Sequence, residues 1–177
     1  MPAKSNTMGS RAVPAPIRYS WAIDKRKATL LKDGKEHLVL EEEKRGRSTF
    51  TYRNARYTLQ NEGFWNPRTI IEANGEQVLQ LKRHFLGSKA TIEFADATKY
   101  QCKVRNAPLV KLIFENAQGE PILSYRLDAA LRPRTVLEVN NGKLPGDRLV
   151  LLLVLGFHAF KGVVKENDDS DLIVMVA

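Results

Sequence analysis

The sequence has a single cysteine, Cys102, among its 177 residues. One cysteine excludes an intramolecular disulfide and the disulfide scaffold of small secreted domains, so it predicts a reducing compartment. Residues 1–17 contain no apolar run of the kind that a secretory signal requires, and their prolines and polar residues predict a disordered arm. Together these absences predict a cytoplasmic protein.

Recognisable catalytic motifs are also lacking. There is no glycine-rich phosphate loop, no Gly-x-Ser-x-Gly turn and no His-Glu-x-x-His pair, and His37, His84 and His158 are far apart. The acidic segment 166–171 lacks the glycine and the final glutamate of an EF-hand. We therefore predict a noncatalytic protein with no cofactor and no metal. An enzyme with an unrecognised site is an alternative.

Positive charge is what the sequence has in excess. Lysine and arginine outnumber aspartate and glutamate by 28 to 20, which gives a net charge of +8. A basic surface attracts phosphate-bearing partners, including nucleic acid and the anionic leaflet of a membrane. Charge alone leaves anionic lipid, nucleic acid and an acidic protein partner open.

Short stretches of alternating apolar and polar residues recur along the chain, separated by turn formers. This pattern is typical of an antiparallel sandwich or barrel. Hairpin turns are predicted at Asp33-Gly34, Asn74-Gly75 and the segment 116–119, with a fourth at Asn141-Gly142. The predicted strands are 19–23, 27–31, 37–41, 48–53, 56–60, 69–73, 77–84, 89–95, 98–105, 109–115, 121–127 and 134–139.

The strand register can be predicted for one part of the sheet. Only pairings that differ by an even number of residues keep the apolar side chains of neighbouring strands on a common face. Pairing Phe94 with Tyr100, and Lys82 with Thr91, turns Cys102 and its apolar neighbours inward. The residues that then face outward form a predicted basic patch, which consists of Lys82, His84, Lys89, Lys103 and Arg105. This patch is either a solvated barrel exterior or a contact surface for anionic headgroups.

The run 149–160 is apolar on every side, so it must be surrounded by protein or by lipid. It is shorter than the roughly 20 residues that span a membrane, which predicts no transmembrane span. We expect a central helix at about 147–164, with Asp147 as its N-cap and His158 as a hydrogen-bonded core residue. Residues 18–177 then form one mainly β domain, a closed antiparallel barrel of roughly twelve strands around one apolar C-terminal helix.

Twelve strands followed by one apolar helix resemble the tubby C-terminal fold, which tubby proteins share with LURP-one-related proteins and phospholipid scramblases. The resemblance covers residues 19–165, and its carriers are the hairpin 71–82 and the helix 147–164. It implies a phospholipid-binding barrel, peripheral at the membrane, since tubby proteins bind phosphoinositides. The chain lacks the cysteine cluster of scramblases, and its acidic segment follows the helix instead of preceding it. Scramblase activity is therefore not predicted.

A nucleic-acid-binding barrel is the main alternative to lipid binding. Such a protein stacks bases on exposed aromatic rings that stand among basic residues. Phe50, Tyr52 and Tyr57, with Arg53 and Arg56, are the nearest approach to that arrangement. Alternation places Phe50 and Tyr52 on one face, which favours the core for both.

Overall fold

The computed structural model describes residues 17–63, 67–83, 89–105, 109–128, 134–140 and 144–167. They form twelve strands, a 3₁₀ turn at Lys44–Gly46 and one α-helix, α1, at Gly146–Asn167. The strands are β1 (Tyr19–Asp24), β2 (Lys27–Lys32), β3 (Lys35–Glu42), β4 (Ser48–Tyr52), β5 (Ala55–Glu62), β6 (Arg68–Ala73), β7 (Glu76–Arg83), β8 (Lys89–Phe94), β9 (Lys99–Arg105), β10 (Lys111–Glu115), β11 (Pro121–Asp128) and β12 (Arg134–Val139). The predicted arm 1–17 lies outside the described residues, apart from Ile17.

The strands form one antiparallel sheet in which each strand pairs with the next along the chain, from β1 to β12. β1 also contacts β12, so the sheet curves into a nearly closed barrel. Antiparallel neighbours can be joined by tight turns, which is why the chain order and the spatial order coincide. The mainly β barrel predicted from the sequence is confirmed.

Turn residues explain the three predicted hairpins, all of which are present. Asn74 and Gly75 have φ angles of 51° and 90°, in the left-handed region that tight hairpins require. Asp33 and Gly34 adopt the same conformation between β2 and β3, with φ angles of 51° and 76°. The predicted fourth turn, Asn141-Gly142, lies outside the described residues.

The predicted register is confirmed for β7 with β8 and is wrong for β8 with β9. Lys82 lies opposite Thr91, as expected. The prediction pairs Phe94 with Tyr100, whereas Ile92 is the residue opposite Tyr100. The two strands are therefore shifted by two residues relative to the prediction.

A tight turn between β8 and β9 causes this shift. The Phe94 amide donates to the Thr98 carbonyl over 2.9 Å, and the Ala97 amide donates back to the Phe94 carbonyl over 2.9 Å. Ala97 has a φ of 65°, a conformation for which glycine is the usual residue, so the sequence carries no signal for this turn. Because the shift is an even number of residues, Cys102 still faces inward.

The helix begins one residue before and ends three residues after the predicted range 147–164. Asp147 lies in the first turn of α1 and is not its N-cap, which corrects the prediction. The Arg53 guanidinium donates to the Asp147 carboxylate over 2.7 Å, and the Tyr52 hydroxyl donates to it over 3.3 Å. A carboxylate at a helix N-terminus interacts favourably with the helix dipole. These contacts join the beginning of α1 to the turn between β4 and β5.

The helix and the inner face of the sheet form one apolar core. The side chains of residues 152–155, in the middle of α1, are each 0% exposed. Trp21 of β1 stacks on Phe157 with 4.3 Å between ring centroids. The predicted position of the helix inside the barrel is thus confirmed.

A buried hydrogen-bond chain runs from β1 through β11 to α1. Trp21 Nε1 donates to the Tyr125 hydroxyl over 3.0 Å, and that hydroxyl donates to the Leu153 carbonyl over 2.8 Å. Burial raises the pKa of Tyr125 far above its usual value, so the hydroxyl stays protonated. Gly156 lets the ring approach the helix, because a Cβ at this position would lie 2.5 Å from Tyr125 Cε2.

Candidate functional site

The structure places four members of the predicted basic patch on the outer face of β7, β8 and β9. Lys89 lies opposite Lys103, and Arg105 follows two residues further along β9. Lys82 stands on β7, opposite Thr91. The fifth member, His84, lies outside the described residues.

The patch extends onto β10, which the sequence-based interpretation missed. Lys111 lies directly opposite Arg105, and Ile113 lies opposite Lys103. The signal that would have found Lys111 is the register of β9 with β10, which follows from alternation once β9 is oriented.

Glu93 stands within the patch and reduces its charge. Its carboxylate lies 3.3 Å from Lys82 Nζ and 3.5 Å from Lys99 Nζ. The hydrogen bond from Lys82 lowers the pKa of Glu93, and the Lys99 charge adds to this effect, although slight desolvation opposes it. Glu93 is therefore ionised at neutral pH and pairs with both lysines.

A second acidic residue, Glu115 on β10, is buried and forms an ion pair with Lys103. Its side chain is only 9% exposed, whereas that of Lys103 is 32% exposed. A buried carboxylate that loses its partner is left with an unpaired charge, which is strongly destabilising. Lys103 therefore has a structural role as well as a place in the patch.

Glu138 of β12 completes the acidic contribution to this face. It lies 3.6 Å from Lys111 Nζ and 3.2 Å from Arg126 Nε, and the Ser124 hydroxyl donates to it over 3.1 Å. Partial burial alone would raise the pKa of Glu138, but the bonds from Arg126 and Ser124 and the charge of Lys111 outweigh it and lower the pKa.

Lys89 and Arg105 are the exposed members of the patch that lack an ion-pair partner among the described residues. A groove of about 420 Å³ begins at Arg105 and continues along β10 and β11 past Lys111 and Ser124. Its floor includes Ile113, which faces outward yet is only 7% exposed. Arg105 and Lys111 could both donate to an anion in this groove.

Cys102 is a core residue, as predicted. It is 3% exposed on the inner face of β9. Burial raises the pKa of the Cys102 thiol to about 12, with only partial opposition from the charge of Arg83. The thiolate required of a nucleophile is therefore almost absent at neutral pH.

His158 is hydrogen-bonded, as predicted, but it is half-buried and not part of the core, which corrects the prediction. Its Nε2 lies 3.3 Å from Asn61 Oδ1, which also accepts a hydrogen bond from the Thr69 hydroxyl over 2.7 Å. Burial, together with the positive charge of Lys161, lowers the pKa of His158 to about 4, although Glu42 opposes the shift. The imidazole is therefore neutral at physiological pH.

The aromatic residues considered for nucleic-acid stacking do not form an exposed platform. Phe50 is 3% exposed and stacks on Tyr57, with 4.8 Å between ring centroids. Tyr52 is partly buried and donates to Asp147 at the beginning of the helix. These rings are therefore engaged inside the barrel.

Across the described ranges, no group of three or more His, Cys, Asp or Glu side chains is arranged to hold a metal ion. The same part of the chain contains no helix that is long and apolar enough to cross a membrane. No protein family, no curated protein and no solved structure matches this chain. The tubby-like resemblance therefore stays a prediction.

Proposed function

We propose that this protein is a noncatalytic binding module of the tubby-like class that contacts anionic phospholipid headgroups through the outer face of β7–β10. On this proposal it is cytoplasmic and peripheral at a membrane. The observation that carries the proposal is the position of Lys89 directly opposite Lys103. Glu115 already neutralises Lys103, so Lys89 is the member of this pair that lacks an ion-pair partner among the described residues, and a bound phosphate group would supply one.

The filled interior of the barrel favours binding on the outside. Barrels that carry small ligands usually hold them in the lumen, where side chains leave a cavity. Here α1 occupies the lumen, and residues 152–155 of the helix are 0% exposed. A ligand of this protein therefore meets the outer wall or the rims.

The groove next to the patch gives the headgroup a place to bind. Arg105 and Lys111 stand at the same level on neighbouring strands, so one phosphate can lie between them. Charge-assisted hydrogen bonds from two cations to a phosphate are among the stronger polar contacts in proteins. Glu115 and Glu138 in the same groove favour headgroups that also carry hydroxyl groups, which can donate to carboxylates.

Co-sedimentation with vesicles of phosphatidylcholine and phosphatidylinositol, whose headgroup is anionic and carries hydroxyl groups, tests the proposal. The variant replaces Lys82, Lys89, Lys103 and Arg105 by glutamine, because glutamine can still donate to Glu115 where serine is too short. Each basic residue near an anionic surface contributes about 1 kcal/mol, so the variant should bind at least about a hundredfold more weakly at low salt. Wild-type binding should also weaken as salt rises, because exposed charges are screened.

A matched control removes three lysines and one arginine from the other side of the barrel, at Arg26, Lys32, Lys35 and Lys44. Lys32 and Lys35 lie at the ends of β2 and β3, Arg26 directly precedes β2, and Lys44 lies in the 3₁₀ turn after β3. β2 and β3 are about half of the strand order away from β8 and β9. The control should retain most of the binding. Absence of wild-type binding to anionic vesicles, or equal losses in both variants, would contradict the proposal. Displacement of the vesicles by an oligonucleotide would favour the nucleic-acid alternative.

A further inference from the structure

Three basic residues lie side by side across β9, β10 and β11. Lys111 lies directly opposite Arg105 on one side and directly opposite Arg126 on the other. Neighbouring strands are about 4.8 Å apart, and like charges directly opposite each other are destabilising. This row of the outer wall therefore brings three positive charges together and needs negative charge close to it.

Glu138 supplies negative charge to one end of the row. Its Oε1 lies 3.2 Å from Arg126 Nε, and its Oε2 lies 3.6 Å from Lys111 Nζ. The Ser124 hydroxyl donates to the same carboxylate over 3.1 Å. Arg105, at the other end of the row, forms no ion pair with any described residue. The missing anion therefore belongs between Arg105 and Lys111.

Two carboxylates line the groove beside this position. Glu138 is the exposed one, at 52%, and Glu115 is the buried one, which pairs with Lys103. An ionised carboxylate accepts hydrogen bonds at about four lone-pair sites, so both can accept further bonds from hydroxyl groups. The same carboxylates repel a second anion, because like charges that are brought together in a binding site oppose binding.

We propose that the groove selects a headgroup that carries one negative charge and several hydroxyl groups, which is a polyol joined through a phosphodiester. The phosphodiester lies between Arg105 and Lys111, and the hydroxyl groups donate to Glu115 and Glu138. A phosphomonoester on the polyol adds a charge of about −1.5 to −2 next to these carboxylates, so the groove rejects it. This inference rests on the proposed function, because it concerns the ligand of the same groove.

Glu138 is the residue that sets this selection. It is the exposed carboxylate of the groove, and it already contacts two of the three cations in the row. When its charge is removed, Lys111 and Arg126 become available to a second phosphate. Long-range attraction works in the opposite direction, because a net charge of +8 favours the more highly charged headgroup. A preference for the singly charged headgroup therefore has to come from contacts within the groove.

Titration with soluble headgroups, followed by nuclear magnetic resonance, tests the selection. The probe is glycerophosphoinositol, which has one phosphodiester and a ring of hydroxyl groups. It is compared with the same compound carrying one further phosphate on the ring, and with dimethyl phosphate, which has the charge but no hydroxyl group. We expect glycerophosphoinositol to bind at least about tenfold more tightly than either of the others.

Glu138→Gln shows whether the selection depends on this carboxylate. The glutamine oxygen can still accept from Ser124, and the position is exposed, so the fold should tolerate the change. The ratio between the affinities for glycerophosphoinositol and its phosphorylated form should fall from at least about tenfold to about one. A purely structural role for Glu138 would weaken both affinities together and leave their ratio unchanged.

Glu62→Gln is the matched control. Glu62 also accepts from an arginine of the next strand, Arg68, over 3.0 Å. It lies on β5, half of the strand order away from β11. This variant loses the same charge from the whole protein but none from the groove, so the ratio of the two affinities should stay at the wild-type value.

Vesicles distinguish a lipid headgroup from a soluble ligand. Phosphatidylcholine vesicles that contain phosphatidylinositol are compared with vesicles that contain phosphatidylinositol phosphate, at mole fractions that give equal total charge. Wild-type protein should sediment with the phosphatidylinositol vesicles at least about tenfold more tightly, and Glu138→Gln should remove the difference. If the soluble compounds bind too weakly to be compared, the vesicle comparison decides the selection by itself.

The outcomes separate this inference from the proposed function. Equal or tighter binding of the phosphorylated headgroup by wild type, equal binding of dimethyl phosphate, or an unchanged ratio in Glu138→Gln would overturn the selection and leave headgroup binding in place. Failure to bind any anionic vesicle would overturn the proposed function. Selective binding of glycerophosphoinositol in that case would assign the groove to soluble phosphodiesters, and failure of this compound as well would overturn both.

Discussion

The inside and the outside of the barrel wall use opposite kinds of contact. Inside, α1 packs against the sheet through apolar side chains, and the buried chain from Trp21 through Tyr125 to Leu153 satisfies its own polar groups. Outside, lysines and arginines pair with glutamates at half-exposed positions. Buried side chains are closely packed, so a change in the shape of one of them affects stability. Exposed ion pairs contribute little to stability. The two surfaces should therefore respond very differently to substitution.

The largest expected effect comes from a charge at the centre of α1. Leu152 is 0% exposed, so Leu152→Asp places an unpaired carboxylate in the core, and we expect it to prevent folding. Leu152→Met keeps the volume and should cost less than about 1.5 kcal/mol. Circular dichroism and thermal melts check both variants, and a folded Leu152→Asp protein with an unchanged melting temperature would refute the inside position of the helix.

Acid should destabilise the protein through the half-buried His158. The unfolded chain takes up a proton near the ordinary histidine pKa of 6.5, but the folded protein does so only at about 4. The contribution is therefore fully present above pH 6.5, and the free energy of unfolding falls as the pH drops from 6.5 to 4, by up to roughly 3 kcal/mol from this group. Urea unfolding at a series of pH values measures it. His158→Gln is the control, because it removes this group while carboxylates and His37 still titrate, and an identical pH profile in the variant would exclude the effect.

Two glycines of α1 allow the same substitution to be compared at two depths. Gly156→Ala drives a Cβ into the Tyr125 ring and should cost about 1–3 kcal/mol. Gly162→Ala meets only the end of the Arg83 side chain, at 3.8 Å, and should stabilise the helix by up to about 1 kcal/mol. Denaturant unfolding measures both, and stabilisation of equal size at the two positions would show that helix propensity, not contact with Tyr125, decides the result.

The smallest expected effects are on the outer wall. Lys27 and Glu41 are 63% and 53% exposed, so Lys27→Ser should leave the melting temperature unchanged within error. Lys103→Ser sharpens the comparison, because it leaves the 9% exposed Glu115 without its partner and should cost about 1–3 kcal/mol. Calorimetry compares the two variants. A loss of stability in Lys27→Ser as large as that in Lys103→Ser would mean that burial of the partner glutamate does not determine how much these ion pairs contribute.

Most of the fold could be predicted because alternation and turn residues are local signals. The strands, the Asp33-Gly34 and Asn74-Gly75 turns and the enclosed helix all follow from residues close together in sequence. The register of β8 with β9 could not be predicted, because it depends on Ala97 adopting a glycine-like conformation. The register error was two residues, an even number, so each side chain kept its predicted face of the sheet. Cys102 was therefore still assigned correctly to the core.

The candidate site was harder to predict than the fold. Alternation places Lys82, Lys89 and Lys103 on the outer face but does not show which acidic side chains reach them. Glu93 and Glu115 enter the patch through register and side-chain conformation.

The position of α1 after all twelve strands in the chain has a consequence for biosynthesis. A ribosome adds roughly 5–20 residues per second, so at least several seconds pass between the first strand and the helix. During that time the inner face of the sheet has nothing to pack against, and its apolar side chains and strand edges stay exposed to other chains. The nascent protein is therefore exposed to aggregation until α1 leaves the exit tunnel and the core can form around it.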